Sequence, residues 1–214
     1  MPAAGMHANL PMSRDALAIF LRHALPALTA CLLTAPAFAQ HGAMTVPRNL
    51  DQLTDRASDI VRGTVIETRV EKHPELTALD TVIVTLRVRD TLKGEARGRF
   101  TFRQYLWDAR DVYDAAGYRK GQDLLLLMIA PSRLGLSSPA GMGQGRFRIV
   151  RDQAGREMAI NAAGNARLFE GLGDAGKPGA ALTARQAALV ASHRSGPIAA
   201  ADLAALIRAF TGNH

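Results

Sequence analysis

From Thr81 to Arg89 the chain alternates without a break. Val82, Val84, Leu86 and Val88 fall on one side of an extended strand, and Ile83, Thr85, Arg87 and Arg89 on the other. A segment patterned this way has one buried face and one wetter face, so it belongs in a sheet packed on one side. The same period recurs nearby. Phe100 and Phe102 alternate with Arg99, Thr101 and Arg103, and Phe147 and Ile149 alternate with Arg146 and Arg148. Ile60 to Val70 is rich in β-formers, and Gly63 reads as a bulge within it. His73-Pro74-Glu75 breaks that strand, and Lys93-Gly94 turns the chain after the next. Asp123 to Ala130 is a continuous apolar run of strand length, expected to be buried on both faces. A turn at Gln153-Ala154-Gly155 leads to a short strand from Glu157 to Ile160.

Helical patterns flank this β region. Asn49 caps a short helix with Leu50, Leu53 and Ala57 on one face. Thr183 caps a helix running to about His193, which Ser195-Gly196-Pro197 ends. Ile198 to Phe210 reads as a second amphipathic helix, with Leu203, Leu206, Ile207 and Phe210 at helical spacing. The predicted fold is mainly β: a small antiparallel OB-like barrel with a short N-terminal helix and a two-helix C-terminal tail. The barrel is assigned to residues 59–165 and the N-terminal segment to 40–58. A glycine-rich linker is assigned to 166–182 and the tail to 183–214.

The first 39 residues read as a secretory signal. Arg14 and Arg22 precede a short apolar run from Ala24 to Leu33, and Pro36 stands before Ala37-Phe38-Ala39. Cleavage there makes Gln40 the first mature residue and places the protein in the periplasm or outside the cell. Leu28-Thr29-Ala30-Cys31 also has the form of a lipoprotein box, which would anchor the chain through a lipidated Cys31. Met12 is an alternative start. Removal of 39 residues from 214 leaves 175, enough to bury a core without staples. Cys31 is the only cysteine, so the cleaved chain has no disulfide. Arg14, Arg22 and Asp15 leave with the signal, which takes 26 basic and 19 acidic residues to 24 and 18, a net of +6. That balance favours anionic partners weakly. No later segment is long and apolar enough for a membrane span.

The strand residues carry a resemblance. Ala57-Ser58-Asp59-Ile60-Val61-Arg62-Gly63-Thr64-Val65 resembles the opening strand of netrin-like OB barrels, the fold of tissue inhibitors of metalloproteinases. Val84 to Gly94, ending Asp90-Thr91-Leu92-Lys93-Gly94, is similar to their second strand, and Tyr118 to Leu126 to a later one. With Gly143 to Val150 the chain also resembles a bacterial branch of exported proteins. The resemblance implies the barrel. It does not imply inhibition, because those inhibitors chelate zinc with an amino-terminal cysteine and the cleaved chain has none.

No catalytic constellation emerges. There is no G-x-S-x-G elbow, and Ser137-Ser138-Pro139 reads as a loop. Gly171 to Lys177 nearly spells a phosphate loop, but Pro178 occupies the magnesium-binding position and no βαβ unit surrounds it, so a linker is expected there. His41, His73, His193 and His214 are scattered without ligand spacing, so neither a metal nor any cofactor is expected.

Two surfaces are candidates. Arg87, Arg89, Arg99, Arg103, Arg146 and Arg148 fall on outward phases, where a polyanion could lie across them or where they could simply keep the sheet solvated. Every Trp and Tyr lies in one irregular stretch: Tyr105, Trp107, Tyr113 and Tyr118. These aromatics either contact a partner or plug one barrel end, with Asp108, Asp111 and Asp114 solvated outside. The expected function is a non-enzymatic exported accessory protein that binds a protein partner. Alternatives are an anionic-ligand or oligonucleotide module and a hydrolase with unrecognised residues.

Overall fold

The computed structural model describes residues 46–95, 98–172 and 182–212. The signal segment, its cleavage point and Cys31 lie outside them. Helix α1 (Leu50–Arg56) opens the described chain, with the expected Asn49 cap. Asn49 Oδ1 accepts from the Gln52 amide at 3.0 Å, and the Asn49 amide donates to Gln52 Oε1 at 3.2 Å.

Strands β1 (Asp59–Lys72), β2 (Asp80–Lys93), β3 (Arg99–Tyr105), β4 (Asp123–Met128), β5 (Arg146–Arg151), β6 (Glu157–Asn161) and β7 (Ile198–Ala199) form one antiparallel sheet in the order β3-β2-β1-β4-β5-β6-β7. The short helix α2 (Ala109–Asp114) lies between β3 and β4. Helices α3 (Ala184–Ser192) and α4 (Ala200–Thr211) form the tail. The mainly-β reading with a short N-terminal helix and two C-terminal helices therefore holds. The last helix is shorter than expected, because Ile198 and Ala199 pair with Ala159 and Met158 of β6 before α4 begins.

The sheet is not closed into a barrel by its ladders. Single bridges do part of that work: Leu136 lies beside Arg103 of β3, and Pro139 beside Met128 of β4. The Ser137 amide donates to the Arg103 carbonyl at 2.8 Å, and the Ala140 amide to the Leu127 carbonyl at 2.7 Å. The buried His73 ring pins the same segment. Its Nδ1 accepts from the amides of Glu75 and Leu76, and its Nε2–H donates to the Leu134 carbonyl at 2.9 Å.

Two cores occupy the two faces of the sheet. Val61, Val65, Val82, Val84, Leu86, Phe100, Phe102, Leu106 and Tyr118 pack with Leu124, Leu126 and Met128 on one face. Ile60, Leu125, Leu127 and Phe147 pack on the other, against α1, α3 and α4. The apolar phases of the alternating strands thus fall into two cores rather than one. Leu125, Leu127, Phe147 and the half-buried Ile149 face the helices rather than joining Val82, Phe100 and Phe102. The apolar run of β4 is buried on both faces as its composition required. The bulge at Gly63 is also present. The β1–β2 register shifts there, and a Cβ on Gly63 would stand 2.4 Å from the Arg87 carbonyl oxygen.

Leu203, Leu206 and Ile207 of α4 are fully buried, and Phe210 packs partly against the same core. Among the described residues no helix is long and apolar enough to cross a membrane. Leu206→Ala should cost about 2–5 kcal/mol in urea denaturation, as for other buried leucines. A midpoint unchanged from the parent would show that α4 is not part of the cooperative core.

Candidate functional site: an anchored aromatic loop

The chain between β3 and β4 separates the four aromatics into two roles. Tyr118 is 2% exposed and stands edge-on to Phe102, with ring centroids 5.5 Å apart. Its hydroxyl donates to Gln104 Oε1 at 3.0 Å. Leu106 is buried beside it, and Val112, Ala115 and Ala116 pack on from outside. These residues close that end of the core. Trp107 and Tyr113, in contrast, are 61% and 93% exposed. Tyr105 is half-buried and meets Trp107 edge to face at 5.1 Å.

The acids of this loop build turns. Asp108 caps α2 by accepting from the Asp111 amide at 2.8 Å. Asp111 accepts from the Trp107 amide, and Asp114 from the Gly117 amide at 3.1 Å. After α2 the backbone enters an unusual conformation. Ala115, Ala116 and Gly117 all have positive φ, at 53°, 52° and 71°. Left-handed geometry costs about 1–2 kcal/mol for each non-glycine residue, so two successive alanines need a compensating contact.

Arg146 of β5 supplies it. Its two terminal nitrogens donate to the carbonyls of Ala116 at 2.7 Å and Gly117 at 2.5 Å. Its guanidinium carbon lies over the Tyr118 ring, 3.7 Å from the centroid. One side chain therefore holds the strained turn and caps the buried tyrosine. Alternation put Arg146 on the face opposite Phe147, as the ladder does, but that face is shared with Leu126 of the Tyr118 core, so Arg146 is half-buried rather than outward. The loop folds back over that face, which local sequence does not encode.

Arg87, Arg89, Arg99 and Arg103 share one face of β2 and β3 but differ in their pairing. Arg103 is half-buried, bonded to Glu71 at 2.8 Å and to the Thr81 hydroxyl at 2.9 Å. Arg89 reaches Glu157 at 3.1 Å, and Arg62 reaches the same carboxylate at 2.8 Å. Hydrogen bonds from Arg62 hold the Glu157 carboxyl below its usual value, and bonds from Arg69 and then Arg103 do the same for Glu71. Arg148 is exposed on β5. Arg87 and Arg99 are exposed cross-strand neighbours, and neither has an ion-pair partner among the described residues.

The sequence reads as linker over 166–182, which misses what its first half builds. Leu168 and Phe169 are core residues, and a cavity of about 550 Å³ lies between Arg167, Phe169, Val190, His193 and Arg194. Burial pulls the His193 imidazole below its usual value, against a backbone bond at Gly196. Arg167 is paired with Glu170. Among the described residues no three His, Cys, Asp or Glu side chains gather where they could share a metal ion. The phosphate-loop resemblance from Gly173 onward lies outside the described residues.

Comparison with protein-family models, with curated proteins and with solved structures finds no match to this chain.

Burial pushes the Tyr118 phenol up to about 12, with Arg146 opposing the shift. The folded pKa lies above the unfolded value near 10, so this contribution is full below about pH 10 and is lost as pH rises towards 12. Stability of the parent should therefore fall steeply across that window. Tyr118→Phe should flatten the alkaline limb of a stability–pH curve. Parallel curves for the two proteins would show that Tyr118 is not what limits alkaline stability.

Proposed function

We propose that this chain is an exported, non-enzymatic binding protein of netrin-like, OB-type architecture that recognises a protein partner through the loop between Tyr105 and Tyr118. The observation that carries this reading is the exposure of Trp107 and Tyr113 on a loop whose root is fixed. Large exposed aromatics on a preorganised backbone contribute most per residue to interfaces, because little ordering entropy remains to be lost on binding. Tyr105 supports the Trp107 ring, and Arg146 fixes the turn that follows. Export follows from Arg22 to Gln40, with attachment through Cys31 as its variant. In this reading Trp107 and Tyr113 are the contact residues, and Tyr105 and Tyr118 hold them in place.

A second reading rests on Arg87 and Arg99. Like charges directly opposite in a ladder repel unless an anion sits between them. An anionic ligand bound there would be strongly salt-dependent, whereas an aromatic contact would not.

Trp107→Ala and Tyr113→Ala should each weaken capture of the partner from the exported fraction by at least tenfold. Both should leave the denaturation midpoint within about 0.5 kcal/mol of the parent, as expected for exposed positions. Unchanged capture by the double variant would remove this loop as the contact surface. Arg146→Lys keeps the charge but loses the paired carbonyl bonds. It should weaken capture while speeding amide exchange at Gly117 and Tyr118.

A further inference from the structure

Strand β3 is the free edge of the sheet, and its register fixes which groups are unpaired. The Val88 amide bonds the Gly98 carbonyl and the Leu106 amide bonds the Asp80 carbonyl, so even-numbered residues of β3 point at β2. Odd-numbered residues point away. At Arg103 that outward edge is covered, since its carbonyl accepts from Ser137. At Arg99 and Thr101 the outward N–H and C=O groups have no partner among the described residues. A groove of about 330 Å³ runs along this edge, with Phe100, Thr101 and Arg103 on one wall and Ile129, Pro131 and Gly135 on the other.

The structure assigns this groove to an extended peptide segment of another protein that adds to the edge of β3 and carries acidic side chains at alternate positions. Charge selects that occupant. A strand paired with β3 puts alternate side chains on the face that carries Arg99, which stands opposite Arg87, and neither arginine has an ion-pair partner among the described residues. Asp59, the acid among the groove's lining residues, belongs to β1 and accepts from the Ser58 hydroxyl at 3.0 Å. A second copy of the chain is disfavoured by the same charges. Antiparallel self-pairing centred on Thr101 would set Arg99 against Arg103 of the copy and would need the edge at Arg103, which Ser137 covers. The bridge at Leu136 stops the added strand, so main-chain bonding is confined to Arg99 and Thr101 and the affinity is modest. This surface is separate from Trp107 and Tyr113 and does not depend on the function proposed for them.

The test uses a capped seven-residue peptide of alternating Thr and Glu, titrated into the purified protein. Amide exchange at Arg99 and Thr101 should slow at least tenfold. The same peptide with Lys for Glu should bind at least tenfold more weakly, as should one N-methylated at alternate amides. Arg99→Glu should reverse the preference from the Glu to the Lys peptide. Thr101→Pro should abolish binding, since proline removes the outward N–H at a position where an edge strand tolerates it. Its melting curve checks that the fold survives, and Arg99→Glu decides the matter if it does not. Equal binding of the N-methylated peptide, or of inorganic polyphosphate, would show a plain anion surface and overturn the strand assignment. So would unchanged exchange at Arg99 and Thr101. Trp107→Ala should leave the titration unaltered, so failure here and failure of the aromatic loop are read separately.

Discussion

Strand β4 ties the two cores together. Leu124, Leu126 and Met128 enter the core shared with β1, β2, β3 and Tyr118, while Leu125 and Leu127 enter the core shared with the helices. A strand buried on both faces can offer water nothing, so both faces must be covered at once. That requirement recruits α1 and α4 to one side and curls β2 and β3 over the other. It also explains how a chain without a disulfide stands alone. Each face of β4 buries aliphatic surface that neither half of the molecule could bury by itself.

What could be read from the sequence follows from how local each determinant is. Alternation in β2, β3 and β5 is a property of neighbouring residues, and the caps at Asn49 and Thr183 need only the residue three positions on. These were legible. The division of the core was not, because a run such as Leu124–Met128 has no phase and cannot say which neighbour lies on which side. Tyr118 and Trp107 are eleven residues apart in one aromatic-rich stretch, and composition could not separate the buried ring from the exposed one. Their separation depends on Arg146, which lies beyond β4. The loop containing Leu168 and Phe169 looked like linker because its glycines and alanines dominate its composition. Its two large side chains find their contacts only against α1 and α3.

The turn at Ala115–Gly117 shows how such distant contacts act. Two alanines in left-handed geometry oppose folding of the loop by an amount similar to one good buried hydrogen bond apiece. Arg146 returns two charge-assisted bonds to the Ala116 and Gly117 carbonyls and a cation–π contact to Tyr118. Asp114 adds a bond to the Gly117 amide. The exposed end of the loop, with Trp107 and Tyr113, is therefore carried on a root that is strained and tightly held. A flexible loop would need no left-handed residues and no buried guanidinium.

The same economy shapes the unpaired side of β3. A barrel would close by a full ladder between β3 and the chain after β4. Here the chain from Ile129 to Ala140 makes contact at Arg103 and Met128 and is then drawn off by other bonds. Ser137 Oγ donates to the Ile129 carbonyl, His73 holds Leu134, and Ala140 returns to Leu127. Each of these bonds fixes the segment's path while preventing it from running on beside Thr101. Closure at one end of β3 and openness at the other thus have one cause. The groove is the space left where a segment held at three points cannot also follow the strand.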